Sequence, residues 1–349
     1  MSTSEQKPTG QPQATQPVPA DTDTRDPVEG AELHPTVVVG MATYQRNDDM
    51  ARTVPLLVAQ VAALRGASGT VVVIDNDPEG GARKDFERLD IPGARYVHER
   101  RPGISAARNR AIDEAEGADA LVFIDDDEIP DDGWLQSLLD SWKAWGCAAV
   151  TGPVTSVFVG EADDWVRASG LFDRAHRTTG ALNPGASSAN LLLDLAALKR
   201  HNIRFDEQFG LSGGSDTMLA HALRGRGEQI RWCQEASVTE FVPAARSRRR
   251  WVFTRTMRTS NTWSRVAVVL ARQDGSIWRA RAELTARGGY RIARGSARRA
   301  LARLRRDVPG DARGAVDVAS GFGILMGAYG AVRYEYLRPV PSGRGTHGP

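Results

Sequence analysis

From Thr36 onward, hydrophobic residues fall into two alternating patterns. Short β-branched runs, Thr36-Val-Val-Val-Gly40, Thr70-Val-Val-Val-Ile74, Ala94-Arg-Tyr-Val97 and Leu121-Val-Phe-Ile124, have the length and composition of strands buried on both faces. Between them apolar residues recur at helical spacing, as in Leu56, Leu57, Val61 and Leu64, and again in Ile104, Ala107, Ala111, Ile112 and Ala115. This alternation predicts an α/β fold with a doubly wound, mostly parallel sheet and right-handed crossovers. Such sheets bind ligands just beyond the carboxyl ends of their strands. Three of those ends are polar here: Thr43, Tyr44 and Arg46 after the first run, Asp75, Asn76 and Asp77 after the second, and Asp125, Asp126 and Asp127 after the fourth.

The flanks of this region have a different character. Residues 1–33 carry Pro, Gln, Thr, Ser and acids with no aromatic residue, and are expected to form a disordered tail. Residues 34–245 then make a catalytic domain and residues 246–349 a basic, mainly helical C-terminal region. The chain's formal charge is only +2, yet residues 246–313 hold 19 Arg, no Lys and 4 acids, so this stretch alone carries +15 and the remainder −13. With apolar residues at helical spacing around Trp251 and Trp263, the stretch is expected to lie on an anionic membrane surface. Arg-rich coding bias, or pairing with the acidic remainder, would account for the same pattern. A peripheral position on the inner face of the cell membrane, in an otherwise cytoplasmic protein, follows from the first reading. No run of apolar residues is long enough to span a bilayer, and the Gly-rich run at 321–330 would lie at an interface or pack on the catalytic domain. Cys147 and Cys233 cannot build a disulfide framework, and the six histidines show no metal spacing.

Candidate chemistry centres on Asp125-Asp-Asp-Glu128, four acids directly after a strand. Clustered carboxylates repel one another, so a fold holds them together most readily around a cation. Mg2+ or Mn2+, shared between one or two carboxylates and the phosphates of a nucleotide, fits that requirement; a solvated acidic loop is the plainer alternative. Further upstream, Pro102-Gly-Ile-Ser-Ala-Ala-Arg-Asn-Arg110 places a helix start, and Arg108 one turn inside it, where an anion would be favoured.

These segments resemble, in order and spacing over roughly residues 36–260, the family 2 glycosyltransferases of GT-A fold. The Asp-x-Asp metal motif of that family matches Asp125, Asp126 and Asp127, with Asp125 and Asp127 as metal ligands and Asp125 and Asp126 at the nucleotide sugar. Thr43, Tyr44 and Arg46 match its opening nucleotide-binding segment, Asp75 the acid that contacts the nucleobase, and Arg108 with Asn109 the pair that precedes the metal motif. In the second half, Asn183-Pro-Gly-Ala-Ser-Ser-Ala-Asn190 resembles the segment lining the sugar pocket. Gly213-Gly-Ser-Asp-Thr217 resembles the motif of the catalytic base, which the resemblance puts at Asp216; Gly213 and Gly214 lie on the acceptor side, and Ser215 replaces the usual Glu. An N-cap is the ordinary alternative for Asp216. Val238-Thr-Glu-Phe-Val-Pro243 and Arg248-Arg-Arg-Trp251 are most similar to bacterial succinoglycan-type exopolysaccharide enzymes, which implies an acceptor-side place for Arg250 and Trp251.

The resemblance implies a metal-dependent inverting transferase that takes a nucleotide sugar, by default a UDP-sugar, and a saccharide or lipid-linked acceptor. A small-molecule natural product would be an alternative acceptor. A sugar nucleotidyltransferase would open with a Gly-rich basic loop, which Val39-Gly-Met-Ala-Thr-Tyr44 is not. The Arg-rich stretch lacks any nucleic-acid-binding motif, and no nucleic-acid partner is expected.

Overall fold

The four predicted strands are present, and each is at least as long as its apolar run. In the computed structural model, which describes residues 34–173 and 176–332, they are β1 (Thr36–Thr43), β2 (Ser68–Asp75), β3 (Ala94–His98) and β4 (Ala120–Asp125). The expected disordered tail lies outside the described residues. Helices α1 (Asn47–Ala62), α2 (Arg83–Leu89) and α3 (Ile104–Glu114) connect these strands. After β4 come β5 (Glu128–Pro130), α4 (Trp134–Trp145), β6 (Ala149–Thr151), β7 (Val154–Phe158), α5 (Asp164–Arg167), β8 (Asn190–Asp194) and α6 (Leu195–His201). The chain continues through α7 (Ser215–Gly225), β9 (Ile230–Trp232), β10 (Val238–Val242), α8 (Arg249–Gln273), α9 (Ile277–Arg305) and α10 (Val308–Ala328).

Among the described residues the main sheet has seven strands in the order β3-β2-β1-β4-β8-β6-β9. Strands β1 to β4 are parallel, and β8 runs antiparallel between β4 and β6. Burial on both faces follows the two-residue period of a strand. Val37, Val39 and Met41 of β1 pack with α1 and α4 through Met50, Leu57 and Leu138, while Val38 joins Ala107 of α3 and Leu219 of α7 on the other face. The sheet is therefore doubly wound. Chain order reverses at β1, whose neighbours are β2 and β4, and register sets Thr43 beside Asp75 and Ala42 beside Asp125. A crevice opens at such a switch point, and the polar ends of all three strands converge on it. A second, three-stranded sheet, β5-β10-β7, continues from the acidic run and pairs Glu128 with Glu240.

The basic region folds as three long helices, α8 to α10. Glycines let α10 approach its neighbours backbone to backbone. A Cβ on Gly314 would lie 2.9 Å from the Gly295 carbonyl oxygen of α9, and one on Gly323 would lie 2.1 Å from the Met257 carbonyl oxygen of α8. The Gly-rich run at 321–330 thus packs between helices of its own chain rather than lying free at an interface. Helix α8 is likewise not a free amphipathic surface. Val252, Val266 and Val268 are buried, and Trp251 stacks on Phe172 with centroids 5.9 Å apart. Among the described residues no helix is long and apolar enough to cross a membrane.

Two glycines on adjoining helices separate packing from intrinsic propensity. Gly323→Ala should lower stability by about 2 kcal/mol or more, because the methyl meets rigid backbone. Gly289→Ala in α9, where a Cβ meets nothing within 4 Å, should raise it by up to ~1 kcal/mol. Equilibrium denaturation of both variants checks the pair, and equal effects would contradict the close helix contact.

Candidate active site

The turn that follows β4 buries Asp126 and Glu128, leaves Asp125 and Asp127 half-buried, and partly neutralises the run with cations from distant parts of the chain. Asp126 accepts from Thr43 Oγ1 at 2.8 Å and from Arg46 Nη1 at 2.8 Å. The same Arg46 nitrogen lies 2.8 Å from Asp127 Oδ2, which Arg246 Nη1 also approaches at 3.3 Å while bridging to Glu240 at 3.2 Å. Below the turn, Thr53 Oγ1 donates to the Asp126 carbonyl at 3.0 Å, and the buried Glu128 carboxylate accepts from the Asp125 N–H at 3.1 Å. Burial lifts the Glu128 carboxyl well above the usual range, and the neighbouring Asp125 charge adds to the effect. Glu128 thus braces the turn from below through its bond to the Asp125 N–H.

Asp125 is the least compensated of the four acids. Among the described residues its side chain takes no hydrogen bond, and burial pushes its carboxyl up to about 7, with Arg108 opposing the shift and Asp127, Asp126 and Asp216 adding to it. Burial also raises Asp126 to about 6, against the opposing pull of Arg46 and Thr43. Asp125 and Asp127 offer the hard oxygen donors that Mg2+ or Mn2+ prefers, and a divalent charge would relieve the repulsion. No group of three or more His, Cys, Asp or Glu side chains converges as a complete metal cage among the described residues. Further oxygens, such as those of a diphosphate, would have to complete the coordination shell.

Asp216 sits in the first turn of α7, behind Gly214 at the cap position, so it is not the N-cap of that helix. Its carboxylate is held from two sides. One oxygen pairs with the buried Arg108 Nη1 and the other accepts from Ser188 Oγ at 3.1 Å and Ser188 N at 3.3 Å. Arg108 also donates to Ser215 Oγ at 3.2 Å. Gly214 has φ of +110°, and a Cβ there would come within 2.6 Å of Thr262 on α8, so glycine is required both by backbone conformation and by space.

Several expected positions have other partners. Arg108, read from the sequence as a phosphate ligand, points at Asp216, because the start of α3 is already covered: Ile104 N–H donates to the Gly210 carbonyl at 3.0 Å. Asn109 spends both ends of its amide on the Phe205 backbone, at 2.9 Å each, and so ties α3 to the segment before α7. Asp75 is 0% exposed and accepts from Asp77 N, Ala82 N and Tyr96 OH, which fixes the loop after β2. Arg250 lines a recess with Trp165, Arg249, Arg299 and Asp311, and Trp251 lies in the apolar cluster of α5, α8 and α10. No described contact brings either to Asp216. Tyr44 is half-buried on the loop after β1.

A family model described as Glycosyl transferase family 2 matches residues 38–202, the stretch that holds β1 to α6 and the whole acidic turn. The succinoglycan biosynthesis protein ExoM of Rhizobium meliloti (strain 1021) is 35% identical over 248 residues, covering 69% of this chain and 78% of that protein. The chain belongs to glycosyltransferase family 2. A crystal structure of GalNAc-T7 with UDP, GalNAc and Mn2+ is more distant: the match has a TM-score of 0.48 at 14% identity and spans 60% of this glycosyltransferase but under half, 44%, of that chain.

Three site residues of the glycosyltransferase were not singled out from sequence. Ser188 lies in the small-residue segment, where one serine looks like the next. Arg246 is the first of nineteen arginines in its stretch, and composition alone gives it no distinction. Glu128 belongs to the acidic run but faces the interior.

The burial of Asp125 has a measurable sign. A carboxyl whose folded-state value lies above its unfolded one favours the native state while protonated, so its contribution is present in acid and is lost as pH rises through about 7. Asp125→Asn cannot ionise. In chelator and without nucleotide it should melt a few degrees above wild type at about pH 8 and no higher at about pH 4. A gap that does not change with pH would contradict the buried charge.

Proposed function

We propose that this glycosyltransferase moves one sugar from a nucleotide sugar, by default a UDP-sugar, to a saccharide or lipid-linked acceptor during polysaccharide assembly, with inversion at the anomeric carbon. The observation that carries this reading is the placement of Arg108. It pairs with Asp216 and also acts on the charge of Asp125, so the acidic turn and the carboxylate at the start of α7 lie within electrostatic reach of each other. Donor and acceptor chemistry have to meet in this way for a direct displacement. The part that the relative's name gives it in succinoglycan biosynthesis supports a polysaccharide product.

In this reading Asp125 and Asp127 would hold Mn2+ or Mg2+, whose charge would offset that of a departing diphosphate. Arg46 and Arg246, which pair with the acidic turn, are placed to turn toward phosphate oxygens when the donor enters. Asp216 takes the proton from the acceptor hydroxyl as that oxygen attacks. Ser188 and Arg108 fix the two carboxylate oxygens, so the base is oriented before the acceptor arrives. A lipid-linked acceptor would set the reaction at the inner face of the cell membrane.

Two measurements test this. UDP, GDP or dTDP should raise the melting temperature more with Mn2+ than with chelator, and the Asp125→Ala, Asp127→Ala double variant should lose the difference. Asp216→Asn should keep the nucleotide shift while turnover falls by about 10²-fold or more. Near-normal turnover in Asp216→Asn would remove the base, and nucleotide shifts indifferent to metal would remove the cation.

A further inference from the structure

Helix α9 carries several bulky apolar residues on the side away from the core. The side facing α10 is built of Leu284, Gly288, Ile292, Gly295 and Ala302, with glycines at the points of closest approach. Its outer side carries Ala286, Tyr290, Ala293, Ala297, Leu301 and Leu304, spaced by three or four residues, and all of them are exposed. Tyr290 is 64% exposed, Leu301 48% and Leu304 83%. The glycine face lets α10 come close, but it leaves the larger apolar side chains in water, where an unpartnered stripe of this kind marks a contact surface.

Charge identifies the occupant. Arg287, Arg294, Arg298 and Arg305 are exposed and run along one flank of the stripe at spacings of seven and four residues. Helix α9 holds nine arginines and one acid, Glu283, which Arg279 already pairs at 2.9 Å. Arg298 and Arg305 have no acidic partner among the described residues. An apolar ridge on a convex cylinder, bordered by guanidinium groups, suits a fluid anionic surface that deforms around it, with side chains seated among acyl chains and arginines at phosphates.

We infer that the outer face of α9 is the membrane-docking surface of this protein, lying in the plane of an anionic phospholipid leaflet with Leu301 and Leu304 inserted. Arg287 lies over the exposed Trp263 ring of α8, 4.7 Å from its centroid, so the surface borders α8, and its use holds whichever sugar is transferred. It would place the catalytic crevice on a chain held at the bilayer by the outer face of α9.

Co-sedimentation of the full chain with vesicles tests this, comparing phosphatidylglycerol mixed into phosphatidylcholine against phosphatidylcholine alone, at low and high salt. Wild type should partition to the anionic vesicles about tenfold more strongly at low salt, and the preference should shrink at high salt. Arg298→Glu with Arg305→Glu should lose about tenfold or more, and Leu301→Ser with Leu304→Ser about fivefold, while both double variants keep wild-type melting temperatures and nucleotide shifts. Equal partition to both vesicle types, or double variants that bind like wild type, would overturn the inference. So would a wild-type chain that ignores vesicles but sediments as a dimer broken by the leucine substitutions, since the face would then join two copies.

Discussion

Everything at the crevice depends on how one chain keeps Asp125, Asp126, Asp127 and Glu128 together at the end of a buried strand. Four adjacent acids in a low-dielectric setting cannot all be ionised without counter-charge. Three devices manage them. Burial beneath the turn pushes the Glu128 carboxyl well above the usual range, Asp126 and Asp127 pair with Arg46 and Arg246, and Asp125 is left with a carboxyl raised to about 7. The arrangement stores electrostatic strain at one atom pair and spreads the compensation over segments some eighty and one hundred and twenty residues away. A site of this kind trades stability for the capacity to take up a cation or a charged ligand.

That trade also explains why the two halves of the chain pack as they do. Arg108 comes from α3 and Asp216 from α7, two helices far apart in sequence that cover the same face of the sheet, and their ion pair is buried on the arginine's side. Asn109, next in sequence, fixes the Phe205 backbone with both ends of its amide. One turn of α3 therefore aligns the acceptor half twice, once by charge and once by a neutral amide. The neutral contact is insensitive to salt and pH, so the alignment does not rest on the ionisation state of the site.

Much of this was legible in the sequence, and the boundary is physical. Strands β1, β2 and β4 announce themselves because burial on both faces demands uninterrupted β-branched runs, and the polar residues beyond them had to be at a crevice. Which way those polar side chains point was not legible. Asp75 and Asp125 both end central parallel strands, yet Asp75 meets three donors and turns inward while Asp125 meets none, a difference set by the loops that follow. The basic region was legible only in part, for a related reason. Its periodicity marks amphipathic helices correctly, but only the packing of glycines on α10 decides that α8 buries its apolar side and α9 exposes it.

Helix α8 has a consequence for how this chain can vary in length. Just before its first turn Arg246 reaches Asp127, and farther along Thr262 Oγ1 donates to the Ser212 carbonyl at 3.3 Å while its methyl closes on Gly214. From Arg249, three residues after Arg246, about 20 Å of continuous helix leads to Thr262 at the loop that presents Asp216. Removing or adding a single residue between them would rotate everything beyond by about 100° and turn Thr262 off the loop. Homologous chains should therefore hold the interval from Arg246 to Thr262 at constant length, while the turn after Gln273 is free to grow.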